Sequence, residues 1–128
     1  MPEIDNQGYM FNSRYLEIAD AALTEFFRAG GFTLAALQTE GFDPSVVETT
    51  LRYRAPVRLD ELLSVRTVCT RVGTSSFGMS FEIVRDEETV TEIDTAYVNV
   101  DARADRSRAI PQALIEFLEL MADAAHRT

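Results

Sequence analysis

Apolar residues recur at helical spacing near the start of the chain. Tyr15, Leu16, Ile18, Ala19, Ala22, Leu23, Phe26 and Phe27 share one face of a 3.6-residue repeat. They predict a helix from about Ser13 to Ala29. Ser13 or Asn12 can cap it, because each side chain offers an oxygen to the free N–H groups of the first turn. Gly30-Gly31 is the expected stop, since glycine accepts the left-handed conformation of a C-cap. Phe32 to Gln38 reads as a short helix or turn, closed by Glu40-Gly41. Beyond Pro44 the period falls to two. Val46 to Arg54 is an expected strand, with Val47, Thr49, Leu51 and Tyr53 on one face. Pro56 interrupts it. Leu62 to Val72, Ser76 to Arg85 and Val90 to Asp101 are three more expected strands, joined by short turns into an antiparallel meander. The charged stretch from Ala102 to Arg108 reads as a loop. Pro111 then opens a terminal helix whose buried side is Leu114, Ile115, Leu118, Met121 and Ala122. A long helix, four strands and a terminal helix make an α+β domain of two layers. With 128 residues the chain is expected to form a single domain spanning 1–128.

Composition narrows the chemistry. The formal net charge is -9, from 21 acids against 12 bases, and every base is an arginine. Such a surface repels phosphate backbones, so no nucleic-acid partner is expected. Cys69 is the one cysteine, so no internal disulfide can form. There is no apolar span and no signal peptide, which predicts a cytoplasmic protein without a membrane partner. The one histidine, His126, lies at the C-terminal end. Histidine-dependent triads and most zinc sites are thereby excluded, and no metal or cofactor is expected.

One stretch does carry chemistry. In Ile4-Asp5-Asn6-Gln7-Gly8-Tyr9-Met10-Phe11-Asn12-Ser13-Arg14-Tyr15 a carboxylate stands before a glycine-bearing turn that feeds the long helix. A helix N-terminus offers unpaired N–H donors and the positive end of a dipole, which suits a developing oxyanion. Asp5 can attack an activated carbonyl or activate a water. The same Asp-Asn pair also fits a plain turn.

The spacing of Asp5, Gly8 and Tyr15 before a long apolar helix resembles the hotdog-fold acyl-CoA thioesterases, nearest the 4-hydroxybenzoyl-CoA thioesterase family. The stretch from Tyr53 to Leu62 is similar to that family's second-strand turn. Val98-Asn99-Val100-Asp101, followed by Arg108-Ala109-Ile110-Pro111, is similar to its closing strand and loop. The resemblance implies a hotdog fold, an antiparallel sheet wrapped around the central helix. It implies a thioester hydrolase acting on acyl-CoA, with Asp5 as nucleophile or general base. Gly8 would permit the turn, and the backbone N–H of Asn12 would be the oxyanion donor. It implies a homodimer or homotetramer with sites at the subunit interface. The resemblance also implies a strand leading into Asp5; with only four residues before it, either the start is late or most of that strand is lost.

Substrate contacts are expected from Tyr15, which also belongs to the apolar stripe. Arg66, Arg71, Ser75 and Ser76 are expected to meet the coenzyme A phosphates, with Arg103, Arg106 and Arg108 as a second candidate group. Glu17 is the reserve base. Two further readings stay open: a hotdog module that binds acyl thioesters without turnover, and a thioesterase acting on acyl-carrier-protein substrates.

Overall fold

The long apolar stripe forms a helix because its large residues recur on one side and no proline or glycine interrupts it. A computed structural model describes residues 12–57 and 61–126 of the chain. The first helix, α1, spans Asn12–Ala29. It starts at Asn12, so both expected caps, Asn12 and Ser13, lie within the helix rather than before it. Its C-terminus closes as expected. Gly31 takes φ 92, Gly31 N–H donates to the Arg28 carbonyl at 3.0 Å, and Phe32 N–H donates to the Phe27 carbonyl at 2.9 Å. Those two bonds form a Schellman motif. The short helix α2, Leu34–Thr39, ends in the same way. Gly41 sits at φ 97, and Phe42 N–H donates to the Leu37 carbonyl at 2.9 Å.

Four strands follow: β1 Pro44–Tyr53, β2 Ser64–Val72, β3 Ser76–Arg85 and β4 Glu88–Asp101. They form one antiparallel sheet in the order β1-β4-β3-β2. The β3–β4 turn places Asp86 and Glu87 at φ 51 and 66, the left-handed pair that matches the twist of a two-residue hairpin. Three expectations need correction. Leu62 does not open a strand: it is 96% exposed, and pairing begins at Ser64. The stretch from Ala102 to Arg108 is not all loop, because β5, Arg106–Ser107, folds back onto Val100 and Asp101. Val47 does not share a face with Leu51. The β1–β4 register shifts between Val46 and Glu48, and Val47 is 63% exposed. A bulge inserts one unpaired residue. It lets Val46 before it and Leu51 after it both face the helices.

The helices α1 and α3, Gln112–His126, lie against one face of the sheet. Alternation along β4 turns Thr91, Ile93, Thr95, Tyr97 and Asn99 inward. Phe27, Phe42, Phe77 and Phe81 are fully buried. Each such ring contributes about 1.5–3 kcal/mol by leaving water. Tyr15, Ala19, Leu23 and Phe26 of α1 join them, whereas Leu16 stays 43% exposed. The opposite face of the sheet carries cross-strand ion pairs: Arg52 with Asp94, Arg54 with Glu92 at 2.9 Å and Arg66 with Glu82 at 2.6 Å. Pairs this exposed add at most about 1 kcal/mol each. They do keep that face soluble.

Candidate active site

The N-terminal end of α1 is where the expected chemistry converges. Asn12 is the first helical residue, so its backbone N–H has no partner within the helix. Asp5 and Gly8 lie outside the described residues. Tyr15, one turn in, is 2% exposed and packs its edge on Tyr53 at 5.4 Å and 68°. It therefore ties the start of α1 to the end of β1. Burial, with Tyr15 as the lesser cause, raises the Tyr53 hydroxyl above its ordinary pKa. Glu17 is exposed and paired with Arg14 at 2.9 Å.

The other expected contacts sit apart from that end. Arg66 donates to Glu82 at 2.7 Å and to Thr89 at 3.3 Å. Arg71 donates to the Ser76 hydroxyl at 3.0 Å. Ser75 gives its carbonyl to Asn99 N–H at 2.7 Å. Arg71, Ser75 and Ser76 brace the turn between β2 and β3, whereas Arg66 ties β2 to β3 and β4 near the β3–β4 turn. Cys69 is buried, and burial pushes its thiol pKa up, which makes it a poor nucleophile at neutral pH.

The late-loop arginines are placed differently. Arg103 and Arg108 line a cleft of about 680 Å³ between α2, the end of β4 and the loop after it. Neither forms an ion pair with a described acid, and the buried Nε of Arg108 has no hydrogen-bond partner. Six other arginines are each matched to a carboxylate. The cleft is shaped by Asn99, which is fully buried. Its Oδ1 accepts from Asp43 N–H at 2.7 Å. Its Nδ2 donates to the Gly41 and Ala109 carbonyls at 2.9 and 3.1 Å. Arg108 N–H in turn donates to the Asn99 carbonyl at 3.0 Å. Sequence reading flagged Asn99 only as part of a block. Its inward position among apolar residues on β4 is the signal that could have singled it out.

A third feature is an apolar groove of about 550 Å³ between α1 and β2, walled by Ile18, Ala22, Phe26 and Val65. Among the described residues no cluster of histidine, cysteine and acids could hold a metal ion. Nor is any described helix long and apolar enough to cross a membrane.

Three comparisons bear on this geometry. The sequence pattern of the thioesterase superfamily matches residues 7–92. The chain is 30% identical over 114 residues to the acyl-CoA thioester hydrolase YbgC of Shigella flexneri, covering 88% of this chain and 85% of that protein. In fold it resembles a hypothetical protein of Thermus thermophilus, with a TM-score of 0.82, 25% identity and coverage of 93% and 91%. It also resembles a gentisyl-coenzyme A thioesterase, with a TM-score of 0.81, 20% identity and coverage of 91% and 92%.

Proposed function

The chain belongs to the thioesterase superfamily, and from that premise we propose that it hydrolyses an acyl-CoA thioester to the free acid and coenzyme A. The observation that supports the reading is the start of α1 at Asn12, inside the matched span, a few residues after Asp5 and Gly8 in the chain. A thioester carbonyl seated there accepts a hydrogen bond from the Asn12 N–H. The helix dipole favours the negative charge that develops on its oxygen. Asp5 attacks the carbonyl carbon or takes a proton from the attacking water, and the thiolate of coenzyme A leaves. Tyr15 and Tyr53 hold the helix start in place for this step.

For the phosphates of coenzyme A, the cleft of Arg103 and Arg108, whose lining also holds Asp43 and Asp101, fits better than Arg66. A guanidinium already matched to a carboxylate, as in Arg66, must give up that partner to take a phosphate. An unmatched one has nothing to give up. A homodimer formed through β1 completes the reading. That strand is an edge of the sheet, and it exposes Val46 and Val47. Pairing with a second copy would cover both its backbone groups and those side chains.

The test is thiol release from a panel of acyl-CoAs, short, long and aryl, by the wild type and Asp5→Asn. We expect Asp5→Asn to lose about 10²–10⁴-fold in turnover with its fold intact. Turnover that persists in Asp5→Asn moves the chemistry to Glu17 or another carboxylate. Silence on every substrate favours a binding module.

A further inference from the structure

The chain between β1 and β2 has to cross the sheet, because those strands stand at the two ends of the strand order. It crosses at the end that carries the β3–β4 turn, where Arg85 is opposite Glu88. One side chain holds both limbs of that connection. Arg85 Nη1 donates to the Pro56 carbonyl at 3.0 Å on the first limb, and to Glu61 Oε2 at 2.7 Å on the second. Among the described ion pairs, this is the one in which both side chains are less than a third exposed, at 30% and 21%. Salt therefore screens it less than the pairs on the outer face of the sheet. Asp86 and Glu88 add to the negative charge around the guanidinium.

The first limb also bears on the start of α1. Tyr53 is the last residue of β1, and Tyr15 packs on its ring at 5.4 Å. Among the described ring contacts, this is the one that ties the first turns of α1 to the sheet. Beyond Tyr53 the N–H groups of Arg54 and Ala55 share one acceptor, the Val90 carbonyl, at 2.9 and 3.1 Å. Pro56 has no N–H, so its carbonyl is its one backbone hydrogen-bonding group, and Arg85 takes it. Val57 then turns into the core. The direction in which the chain leaves Tyr53 is thus set by a shared acceptor, one buried side chain and Arg85.

We propose that Arg85 is a positioning residue for the hydrolysis. It acts through the Pro56 carbonyl on Tyr53, through Tyr53 on Tyr15, and so on the Asn12 N–H at the start of the same helix. Glu61 keeps the guanidinium turned toward that carbonyl. This rests on the acyl-CoA reading above, and it assigns a role to a residue that touches neither the substrate nor the reacting atoms. A donor misplaced by about 1 Å costs up to about 10²-fold in rate. The cleft of Arg103 and Arg108 borders the opposite end of β1, beside Asp43, and keeps its shape. The mark of such a role is a loss in kcat at unchanged KM.

The experiment measures kcat and KM on an acyl-CoA that the wild type hydrolyses, together with fluorine NMR of protein labelled with 3-fluorotyrosine. The Tyr15 and Tyr53 signals are identified by Tyr15→Phe and Tyr53→Phe. Arg85→Met should lose about tenfold in kcat with KM within about twofold, and it should move the Tyr15 and Tyr53 signals but not that of Tyr97. Arg85→Lys keeps a charged donor and should recover kcat to within about threefold. Phe117→Leu, which loosens the rings at the other end of α1, supplies a comparable loss of stability and should keep kcat. Wild-type kcat in Arg85→Met overturns the proposal. So does a loss carried by KM, an equal loss in Phe117→Leu, or no recovery in Arg85→Lys. Should Arg85→Met fail to fold, Glu61→Gln takes its place, with an expected loss of about threefold in kcat, and wild-type kcat there is the overturning result. If the wild type hydrolyses no acyl-CoA, the parent reading fails and the fluorine spectra decide alone. Tyr15 and Tyr53 signals that move in the first variant and return in Arg85→Lys sustain the positioning, and unmoved signals end it.

Discussion

The two ends of α1 are built for different work. At the C-terminal end Phe26 and Phe27 meet Phe117 at 5.3 and 6.1 Å, and Phe27 also meets Phe42 and Phe77 at 5.4 and 6.2 Å. Carbonyls there are closed off by the Schellman bonds. At the N-terminal end one ring pair, Tyr15 with Tyr53, is the anchor, and Leu16 stays half-exposed. The first N–H groups of that end have no partner within the helix, and the proposed reaction assigns one of them to the substrate. One helix can thus be rigid and reactive at once, because packing at one end fixes the orientation of donors about 27 Å away at the other.

That contrast can be broken by substitution. Phe27→Ala should cost about 3–5 kcal/mol, since it opens a cavity among four other rings that cannot collapse. Urea unfolding monitored by circular dichroism measures it, and turnover per folded molecule should hold. Asp5→Asn should do the reverse. If Phe27→Ala removes turnover while the protein stays folded, the two ends are not separable.

The middle of the helix sharpens the contrast through pH. Tyr97 has its folded pKa raised from 10 to about 12. The folded chain therefore holds a proton that the unfolded chain releases between those values, and stability falls as pH rises through that window. It is fully present below about pH 10. The loss should reach about 2–3 kcal/mol by pH 12. Tyr97→Phe should lack this part of the alkaline limb. An identical limb in both proteins would mean that Tyr97 is not held protonated beside Asp20.

The smallest expected effect separates the arginines. Arg108→Ala should raise KM for acyl-CoA about tenfold with little change in kcat, the mark of lost ground-state binding. Arg66→Ala, whose guanidinium is already matched to Glu82, should change KM less than about twofold. Equal effects at the two positions would place the phosphates elsewhere.

Much of the fold was legible in the chain. Helical spacing gave α1, and its glycine stop was right. The meander of β2, β3 and β4 followed from alternation and short turns. The bulge at Val47 was not legible, because a one-residue register shift leaves no mark in an alternating pattern of valine and threonine. β5 escaped because two residues carry no period. The candidate site was legible only as a motif. The sequence offered two arginine groups as equals. What the fold adds is that Arg66 is matched to Glu82, sixteen residues away, whereas Arg71, like Arg103 and Arg108, forms no ion pair among the described residues.

The sequence by itself determined the α+β class, the helix that organises it and the family to which it belongs. Those rest on periodicity, turn chemistry and a motif, all of which act between near neighbours in the chain. Only the tertiary structure decided that Asn99 ties the loops at Gly41 and Ala109 together, that Arg108 forms no ion pair among the described residues, and that Asp20 and Tyr97 line one cavity. Each of these joins residues far apart in the chain. Such meetings depend on register and packing, and those are settled only when the sheet closes over its core.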